Sequence, residues 1–269
     1  MNIDQANSTN QPFILTITSG KGGVGKSMCS VNIAELLGRS GYRVALLDAD
    51  IGLSNCATFL NESASATVTD WIDGNVGLEE ILQETEWLTL ITTSDQPDSH
   101  LFNPEQIMNA LDQVTLHLME SYDFIIIDTP AGAGEITLWA LDRADLSTLI
   151  LVDEPSAISD VYRLCKYVFT IDPAYRFAGI VNFARSEATA IDTHKRFNNI
   201  LDYFLKKEIA YLGHFPFSEA IRETIRNQET LCHGVKDPLV ISDLEYVTQN
   251  IISFANKAQK EFNYTINQL

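Results

Sequence analysis

Residues 20–27 read G-K-G-G-V-G-K-S, which matches the phosphate-binding pattern G-x-x-x-x-G-K-[ST]. In this pattern the glycines let backbone N–H groups turn inward around phosphates, a lysine reaches the β/γ oxygens and a hydroxyl ligates Mg²⁺. Lys26 and Ser27 occupy the lysine and hydroxyl positions. An apolar, β-branched run at 13–18 precedes the loop and a helical pattern follows it. The stretch therefore predicts a strand, a loop and a helix whose N-terminus holds the phosphates of a nucleotide.

A second lysine, Lys21, follows the first glycine of the loop. Lys26 already serves the terminal phosphates, so Lys21 is expected to point elsewhere, and its plain interpretation is a solvated loop lysine. The whole string 19–27 resembles the deviant Walker A motif of the MinD/ParA class of ATPases, whose extra lysine crosses a dimer interface to the partner's nucleotide. The resemblance implies ATP and Mg²⁺ as ligands, an ATP-dependent homodimer, and transition-state stabilisation by Lys21.

The residues of the loop are, by the same resemblance, the phosphate contacts. They are Gly22, Gly23, Val24, Gly25, Lys26, Ser27 and Met28. The class usually has a second hydroxyl where this chain has Met28, which puts one hydrogen bond to the α-phosphate in question. Lys26 is expected to be catalytic as well as phosphate-binding, since it offsets charge on the β/γ oxygens.

The composition favours one globular domain. The chain has 269 residues, of which 45% are hydrophobic and 20% are charged. We expect a flexible N-terminal segment at 1–11 and a single domain at 12–269 that includes a C-terminal helix at about 236–269. The chain shows neither an apolar stretch of about 18 residues nor a signal-peptide layout, which predicts a cytoplasmic protein. The four cysteines lack a C-x-x-C spacing, so we expect reduced, buried, inert thiols rather than an iron–sulfur centre.

The net charge of −18 disfavours DNA and anionic lipid surfaces as partners. A local basic patch could override this field, and four pairs of cations are candidates. We expect them to lie on solvated helix faces. The pairs are Arg163 with Lys166, Lys195 with Arg196, Lys206 with Lys207, and Arg222 with Arg226.

Short apolar runs alternate with helical periods along the chain, as a doubly wound, mostly parallel α/β sheet with helices on both faces requires. Strands are predicted at 13–18, 43–48, 88–92, 124–128, 148–152, 179–183 and 210–214. Helices are predicted at 26–38, 104–121, 134–141, 156–169, 188–205 and 218–231. Ligands of such sheets bind beyond the carboxyl ends of the strands, so chemical residues are expected there.

Carboxylates follow two of these strands. Asp128 closes the run I-I-I-D, which is the Walker B position, where a carboxylate holds Mg²⁺ or its water. Gly132 and Gly134 then allow a second switch loop to move with the γ-phosphate. Asp48 and Asp50 belong to the string D-A-D-I-G-L-S-N at 48–55. By resemblance, Asp50 positions or deprotonates the attacking water and Asp48 supports the Mg²⁺ shell, whereas a turn or an N-cap is the plain alternative for either.

Strings near the C-terminal end resemble the flagellar-number regulator branch of the class, called FlhG or FleN. Asn182 ends the strand G-I-V-N, and its amide can donate and accept at a purine edge. By resemblance, Pro216, Phe217 and Ser218 contact adenine through the backbone. The helix pattern at 218–231 and the string at 48–55 also resemble that branch, which implies protein partners such as a flagellar transcription activator or GTPase.

Two segments bear on the partners. The segment D-Q-A at 4–6 begins like the branch's GTPase-contacting motif, but the chain lacks the leucine and arginine that follow, which disfavours activation of the GTPase. The stripe of Ile251, Ala255, Ala258, Phe262 and Ile266 could face a membrane, but packing on the sheet is the favoured interpretation.

The sequence therefore predicts an ATP-dependent dimeric switch that controls a polar structure such as the flagellum. The alternatives are a DNA-partitioning ATPase, a division-site ATPase that cycles on membrane, and a scaffold without hydrolysis.

Overall fold

A computed structural model of the chain describes residues 11–51, 55–94 and 103–266, with side chains as far as residue 260. The D-Q-A segment, residues 52–54 of the first-switch string, and the side chains of Phe262 and Ile266 lie outside this part. The predicted N-terminal segment also lies outside it, apart from Gln11.

The strands are β1 (Phe13–Thr18), β2 (Val44–Asp48), β3 (Gln83–Glu84), β4 (Thr89–Thr92), β5 (Phe124–Asp128), β6 (Leu146–Leu151), β7 (Phe177–Ala184) and β8 (Ala210–Pro216). The helices are α1 (Lys26–Arg39), α2 (Asn55–Phe59), α3 (Val68–Ile72), α4 (Pro104–Leu118), α5 (Glu135–Arg143), α6 (Pro155–Ile171), α7 (Glu187–Leu205), α8 (Glu219–Arg226), α9 (Leu231–Gly234) and α10 (Pro238–Ile266), with a 3-10 helix at Leu78–Ile81.

The described strands form one eight-stranded sheet in the order β3-β4-β2-β5-β1-β6-β7-β8. Only β3, at one edge, pairs antiparallel with its neighbour, and the other described strands pair in parallel. The predicted doubly wound α/β fold is confirmed. Each predicted strand is present, with bounds that differ from the sequence prediction by no more than two residues at either end.

Both faces of the sheet are covered by helices, which is why its strands are continuous apolar runs. Successive residues of β1 alternate between the faces: Leu15 and Ile17 pack in the cluster that includes α1 and α10, whereas Ile14 packs with α4 and α5. A third cluster joins the β6–β7 region to α6 and α7. Burying one such leucine or isoleucine side chain stabilises the fold by about 2 kcal/mol.

The helix predicted at 218–231 is wrong in its length, because α8 ends at Arg226 and α9 begins at Leu231. Gln228 has a φ of 56°, in the left-handed region, where an α-helix of L-residues cannot continue. Residues 226–230 include no apolar side chain, but Ile221, Ile225 and Cys232 keep a helical spacing across the turn, so the sequence pattern did not reveal it.

The C-terminal helix α10 packs on the sheet. Ile251 is fully buried, and Ala255 and Ala258 are partly buried against the same cluster. The packing interpretation of the apolar stripe is confirmed for these three residues. Within the part of the chain that the structure describes, no helix combines the length and apolar character needed to cross a membrane.

Candidate functional site

The glycine-rich loop between β1 and α1 has an open, left-handed backbone. Gly23 and Gly25 have φ angles of 76° and 92°, which L-residues with a side chain rarely adopt. A Cβ on Gly25 would also lie 2.2 Å from Nδ2 of Asn182. Both the backbone angle and this close approach therefore require glycine at position 25. Nothing lies within 4 Å of a Cβ built on Gly22 or Gly23, so the space beside these two residues of the loop is unobstructed.

Gly25 is also the N-cap of α1, and no side chain caps the first N–H groups of this helix. These donors and the helix dipole suit an anion. The loop therefore fits the phosphates of a nucleotide on its own geometry. The side chain of Met28 is buried in the core, which leaves only its backbone for a nucleotide contact.

Two carboxylates meet at the carboxyl end of the sheet. Asp48 and Asp128 are directly opposite each other in the register of β2 and β5, and both are fully buried. Oδ2 of Asp128 accepts a hydrogen bond of 2.5 Å from Oγ of Ser27, and Oδ1 accepts one of 2.9 Å from Oγ of Ser30. Oδ2 of Asp48 accepts from the backbone N–H of Cys56 at 3.0 Å.

Burial raises the pKa of Asp128, against the opposing effect of the Ser27 hydrogen bond and the charge of Lys26. Burying two neighbouring carboxylates is costly unless a cation compensates them. Oxygen ligands from Ser27, Asp48 and Asp128 are the type that Mg²⁺ prefers. The donor set therefore fits the metal that the sequence predicts.

Lys26 lies among the acidic groups of the site. It is only 8% exposed, and its positive charge partly offsets the rise in the pKa of Asp128 and of Asp50 that burial causes. Burial has the larger effect on Asp50 and raises its pKa. The backbone N–H of Asp50 donates to Oδ1 of Asp48 at 3.2 Å, which fixes the turn after β2. The structure thus brings together Lys26, Asp48, Asp50 and Asp128 as the sequence predicts.

Lys21 lies at the surface and pairs with the start of α6. Its Nζ is 3.0 Å from Oε2 of Glu154, and the two side chains are 44% and 60% exposed. An ion pair this exposed contributes little to stability and can be exchanged for another at low cost. In the single chain, the partner of Lys21 is therefore Glu154, a contact that the sequence did not indicate.

The candidate adenine residues lie at the ends of β7 and β8. Asn182 is 1% exposed, its Nδ2 donates to the carbonyl oxygen of Val24 at 2.8 Å, and its Oδ1 accepts from the N–H of Phe183 at 2.9 Å. Asn182 thus contacts the phosphate loop itself. Pro216 ends β8, the N–H of Phe217 donates to the oxygen of Ala184 at 2.8 Å, and Ser218 is the N-cap of α8. The adenine contacts themselves stay predictions.

Cys56 is a site residue that sequence reasoning missed. Its Sγ donates to Oδ2 of Asp128 at 3.5 Å, and ligand atoms of Asp48, Cys56 and Asp128 lie within 4.8 Å of one another. Burial, reinforced by the two aspartates, raises the pKa of this thiol well above its usual value. No sequence signal distinguishes Cys56 from the other cysteines, because its position depends on how α2 returns to the sheet.

The fold and this loop together define a P-loop NTPase. The model of the ParA family, described as NUBPL iron-transfer P-loop NTPase, matches residues 11–252. The chain belongs to this ParA family, and it is an ATP hydrolase like the other ParA and MinD proteins.

Two flagellar proteins are among the relatives. Antiactivator FleN of Pseudomonas aeruginosa is 29% identical over 228 residues, which cover 84% of this chain and 81% of FleN. Flagellum site-determining protein YlxH of Helicobacter pylori is 28% identical over 251 residues, which cover 92% of this chain and 84% of YlxH. These similarities support the regulator branch that the sequence resembles.

Solved structures of MinD share the fold. MinD in the MinC:MinD cell division complex of Aquifex aeolicus is similar with a TM-score of 0.71 and 24% identity, covering 90% of this chain and 96% of that one. MinD of Pyrococcus horikoshii, complexed with Mg-ADP, gives a TM-score of 0.71 at 22% identity, covering 89% of this chain and 96% of that one.

The cysteines do not form a cluster of their own. Cys29, Cys56 and Cys165 are buried and Cys232 is half-buried, and all four are free thiols. Burial raises the pKa of each, in Cys232 to about 11. The prediction that these thiols are buried is confirmed for Cys29, Cys56 and Cys165, and their reduced state stays a prediction.

Proposed function

We propose that the protein is a Mg²⁺-dependent ATPase switch that forms a dimer around ATP and returns to monomers after hydrolysis. The observation that supports this most is the combination of two lysines with different surroundings on one loop. Lys26 is buried among the carboxylates, whereas Lys21 is exposed and held by a surface ion pair. Lys26 is suited to bind the phosphates of a nucleotide held by its own chain. Lys21 is suited to contact the phosphates held by a second copy of the chain.

Each site residue has a definite task in this proposal. Backbone N–H groups of residues 22–28 and the ammonium of Lys26 bind the phosphates. Ser27, Asp48 and Asp128 would hold Mg²⁺, whose charge offsets that of the phosphate oxygens. Asp50 accepts a hydrogen bond from the attacking water and orients it.

Lys21 of one protomer would leave Glu154 and contact the phosphates bound by the other protomer. Its positive charge then stabilises the charge that develops during transfer of the γ-phosphoryl group to water. Because the Lys21–Glu154 pair is exposed, breaking it costs little compared with a contact to a desolvated phosphate.

Lys21→Ala tests this arrangement. We expect ATP affinity of the monomer to stay within about threefold, because Lys26 and the backbone donors remain. Turnover should fall by about 10³-fold or more, as expected when a charge supplied in trans is lost. Calorimetry and phosphate release measure the two quantities.

Glu154→Gln is the matched control for Lys21→Ala. It breaks the same intramolecular ion pair but keeps the lysine, so it should retain turnover within about threefold, the scale of a surface ion pair. Equal losses in the two variants would show that the ion pair matters and not a contact across a dimer. Normal turnover in Lys21→Ala would exclude the proposed role.

We further propose that the switch controls the number or placement of a polar structure such as the flagellum, through protein partners that recruit it to a cell pole. The support is the similarity, over most of both chains, to an antiactivator and to a flagellum site-determining protein. The similarity to an antiactivator favours a flagellar transcription activator as the partner over a flagellar GTPase, whose contact motif is incomplete in this chain.

Deletion of the gene in its source organism should raise the number of flagella per cell or displace them, because an antiactivator is lost. Electron microscopy counts them. Complementation with the wild-type gene should restore the number, whereas the Lys26→Ala gene should not. A flagellar pattern that does not change on deletion would contradict this role. It would not contradict the proposed ATPase switch.

A DNA-partitioning role is disfavoured by the surface of the described chain. At least one member of each predicted basic pair is engaged by an acidic side chain, so no pair leaves two uncompensated charges for phosphates. The ion pairs are Arg163 with Asp160, Arg196 with Asp153 and Asp192, Lys206 with Asp202, and Arg222 and Arg226 with Glu219. A membrane-cycling role is likewise disfavoured by the packing of α10 on the sheet.

A further inference from the structure

A cavity of about 210 Å³ lies beside α1, away from the phosphate loop. Its lining includes Glu35 of α1, Trp87, which precedes β4, and Thr230, the N-cap of α9. Glu35 is roughly 13 Å further along α1 than Lys26, at 1.5 Å per residue. None of the described residues that line the cavity belongs to the proposed nucleotide site. The cavity is therefore separate from that site.

The carboxylate of Glu35 is hydrogen-bonded at one oxygen and not at the other. Glu35 is 2% exposed. Its Oε1 accepts a hydrogen bond of 2.6 Å from Nε of Arg39, and Nδ1 of His233 lies 3.3 Å from the same oxygen. Its Oε2 is buried and has no hydrogen-bond partner among the described residues. A buried carboxylate oxygen without a donor is costly, so Oε2 is suited to accept a hydrogen bond from a ligand.

Trp87 contributes an unpaired donor to the same cavity. Its Nε1 is buried, and no acceptor for it is found in the part of the chain that the structure describes. The guanidinium of Arg39, which binds Glu35, also lies 4.8 Å from the centroid of the Trp87 ring. A Cβ on Gly38 would lie 1.9 Å from the carbonyl oxygen of Trp87, so α1 and Trp87 pack closely. An unpaired acceptor and an unpaired donor are therefore held on either side of one arginine.

The size of the cavity and its donor atoms suit a small organic molecule. A water requires about 10–15 Å³ of such volume, and the cavity provides many times that amount. A metal ion would require several ligand atoms close together. Across the described ranges, three such atoms from His, Cys, Asp or Glu side chains meet only at Asp48, Cys56 and Asp128. A molecule that brings its own donor and acceptor therefore fits the two unpaired atoms better than a metal ion does.

The lining also determines the charge of the ligand. Glu62, Glu86 and Glu229 line the cavity as exposed side chains, and its described lining contains no lysine or arginine. Grouped carboxylates attract a cation and repel an anion such as ATP. Phe59 and Leu88 add apolar surface against which the carbon atoms of a ligand can pack.

We propose that this cavity is a second ligand site, which binds a small organic cation: a protonated amine that also carries a carbonyl or hydroxyl oxygen. The ammonium group donates to Oε2 of Glu35, and the oxygen accepts from Nε1 of Trp87. The carbon atoms of the amine pack against Phe59 and Leu88. Binding of the amine does not require ATP, because no residue of the nucleotide site takes part.

Leucinamide is the probe, because it combines an ammonium group, a carbonyl oxygen and an apolar side chain. An NMR titration of the ¹⁵N-labelled full chain without nucleotide, at about pH 6.5, keeps the amine protonated. The indole N–H signal of Trp87 should shift and saturate with a Kd in the millimolar range, as for other ligands of this size. The indole signal of Trp139, whose Nε1 donates to Asp112 at 2.8 Å, should stay unchanged.

Two variants each remove one contact, and backbone amide signals around the cavity measure their affinity. Glu35→Gln removes the charge and should weaken leucinamide binding about tenfold, the scale of a hydrogen bond to a charged group. Trp87→Phe keeps a ring without the N–H and should weaken it about fivefold. Isoamylamine lacks the carbonyl oxygen, so wild type and Trp87→Phe should bind it equally. Glu105→Gln is the matched control, since it changes an exposed glutamate of α4 and should leave both affinities unchanged.

The inference is overturned if the indole signal of Trp87 shows no saturable shift with leucinamide. It is also overturned if the uncharged N-acetyl-leucinamide binds as well as leucinamide, because the site would then not select a cation. Equal affinity of wild type and Trp87→Phe for leucinamide would exclude the proposed contact, and this comparison decides the matter even if Glu35→Gln does not fold.

Discussion

Replacing Lys26 with alanine is expected to weaken ATP binding by about 100-fold or more, the effect of removing one partner from a buried charge pair. Lys26 is 8% exposed and begins α1, at the point where the phosphates would meet the helix. It is the cation whose charge reaches both Asp50 and Asp128. Without it, the phosphates of ATP would approach these carboxylates uncompensated.

Isothermal calorimetry with Mg²⁺-ATP measures this loss. Lys166→Ala is the matched control, since it removes an exposed lysine of α6 and should leave affinity unchanged. Circular dichroism checks that Lys26→Ala is folded. Wild-type affinity in a folded Lys26→Ala protein would mean that the glycine-rich loop is not the nucleotide site.

Asp50→Ala should bind ATP with affinity within about threefold of the wild type and lose turnover by about 10²- to 10⁴-fold, the contribution of a positioned general base. Asp50 is half-buried beside Lys26, but it is not one of the proposed metal ligands. The phosphate cradle and the carboxylate pair therefore remain intact in this variant.

Phosphate release and calorimetry on the same preparation separate turnover from binding. Asp128→Asn is the informative comparison, because Asp128 accepts hydrogen bonds from Ser27 and Ser30 and would hold the metal. It should weaken Mg²⁺-dependent binding itself. If Asp50→Ala hydrolyses ATP at the wild-type rate, another residue must activate the water.

The parallel sheet could be predicted from the sequence because helices cover both of its faces. Burial on both sides requires continuous apolar runs such as F-I-L-T-I-T at 13–18 and F-I-I-I-D at 124–128, and these runs are visible without a structure. The phosphate loop was predictable for a different reason. Backbone angles require glycine at positions 23 and 25, and the approach of Asn182 requires it again at position 25, so the motif reflects the geometry of the loop.

Short elements could not be predicted in this way. Helices α2 and α3 have five residues each, too few for a helical period to be recognised, and β3 has two. Their positions are set by tertiary contacts with the end of the sheet. For this reason the approach of Cys56 to Asp128 became visible only in the structure.

Contacts between residues far apart in the sequence could not be predicted either. The ion pair of Lys21 with Glu154 joins residues 133 positions apart, and Asn182 reaches Val24 across 158 positions. The sequence motif indicates that Lys21 differs from a phosphate ligand, but it does not show what the lysine contacts in the single chain. The left-handed backbone of Phe183, with a φ of 57°, could not be predicted either, because it follows from the irregular pairing of β7 with β8.

ATP is expected to join two copies of the chain through Lys21. Light scattering coupled to a sizing column measures this most directly, with Asp50→Ala as the protein because it should retain ATP. With Mg²⁺-ATP the molar mass should be twice that of one chain, and with Mg²⁺-ADP it should be that of one chain. Adding Lys21→Ala to Asp50→Ala should return the ATP-bound protein to the mass of one chain. A single-chain mass for Asp50→Ala at saturating ATP, or a dimer that persists without Lys21, would contradict an ATP-dependent dimer held by Lys21.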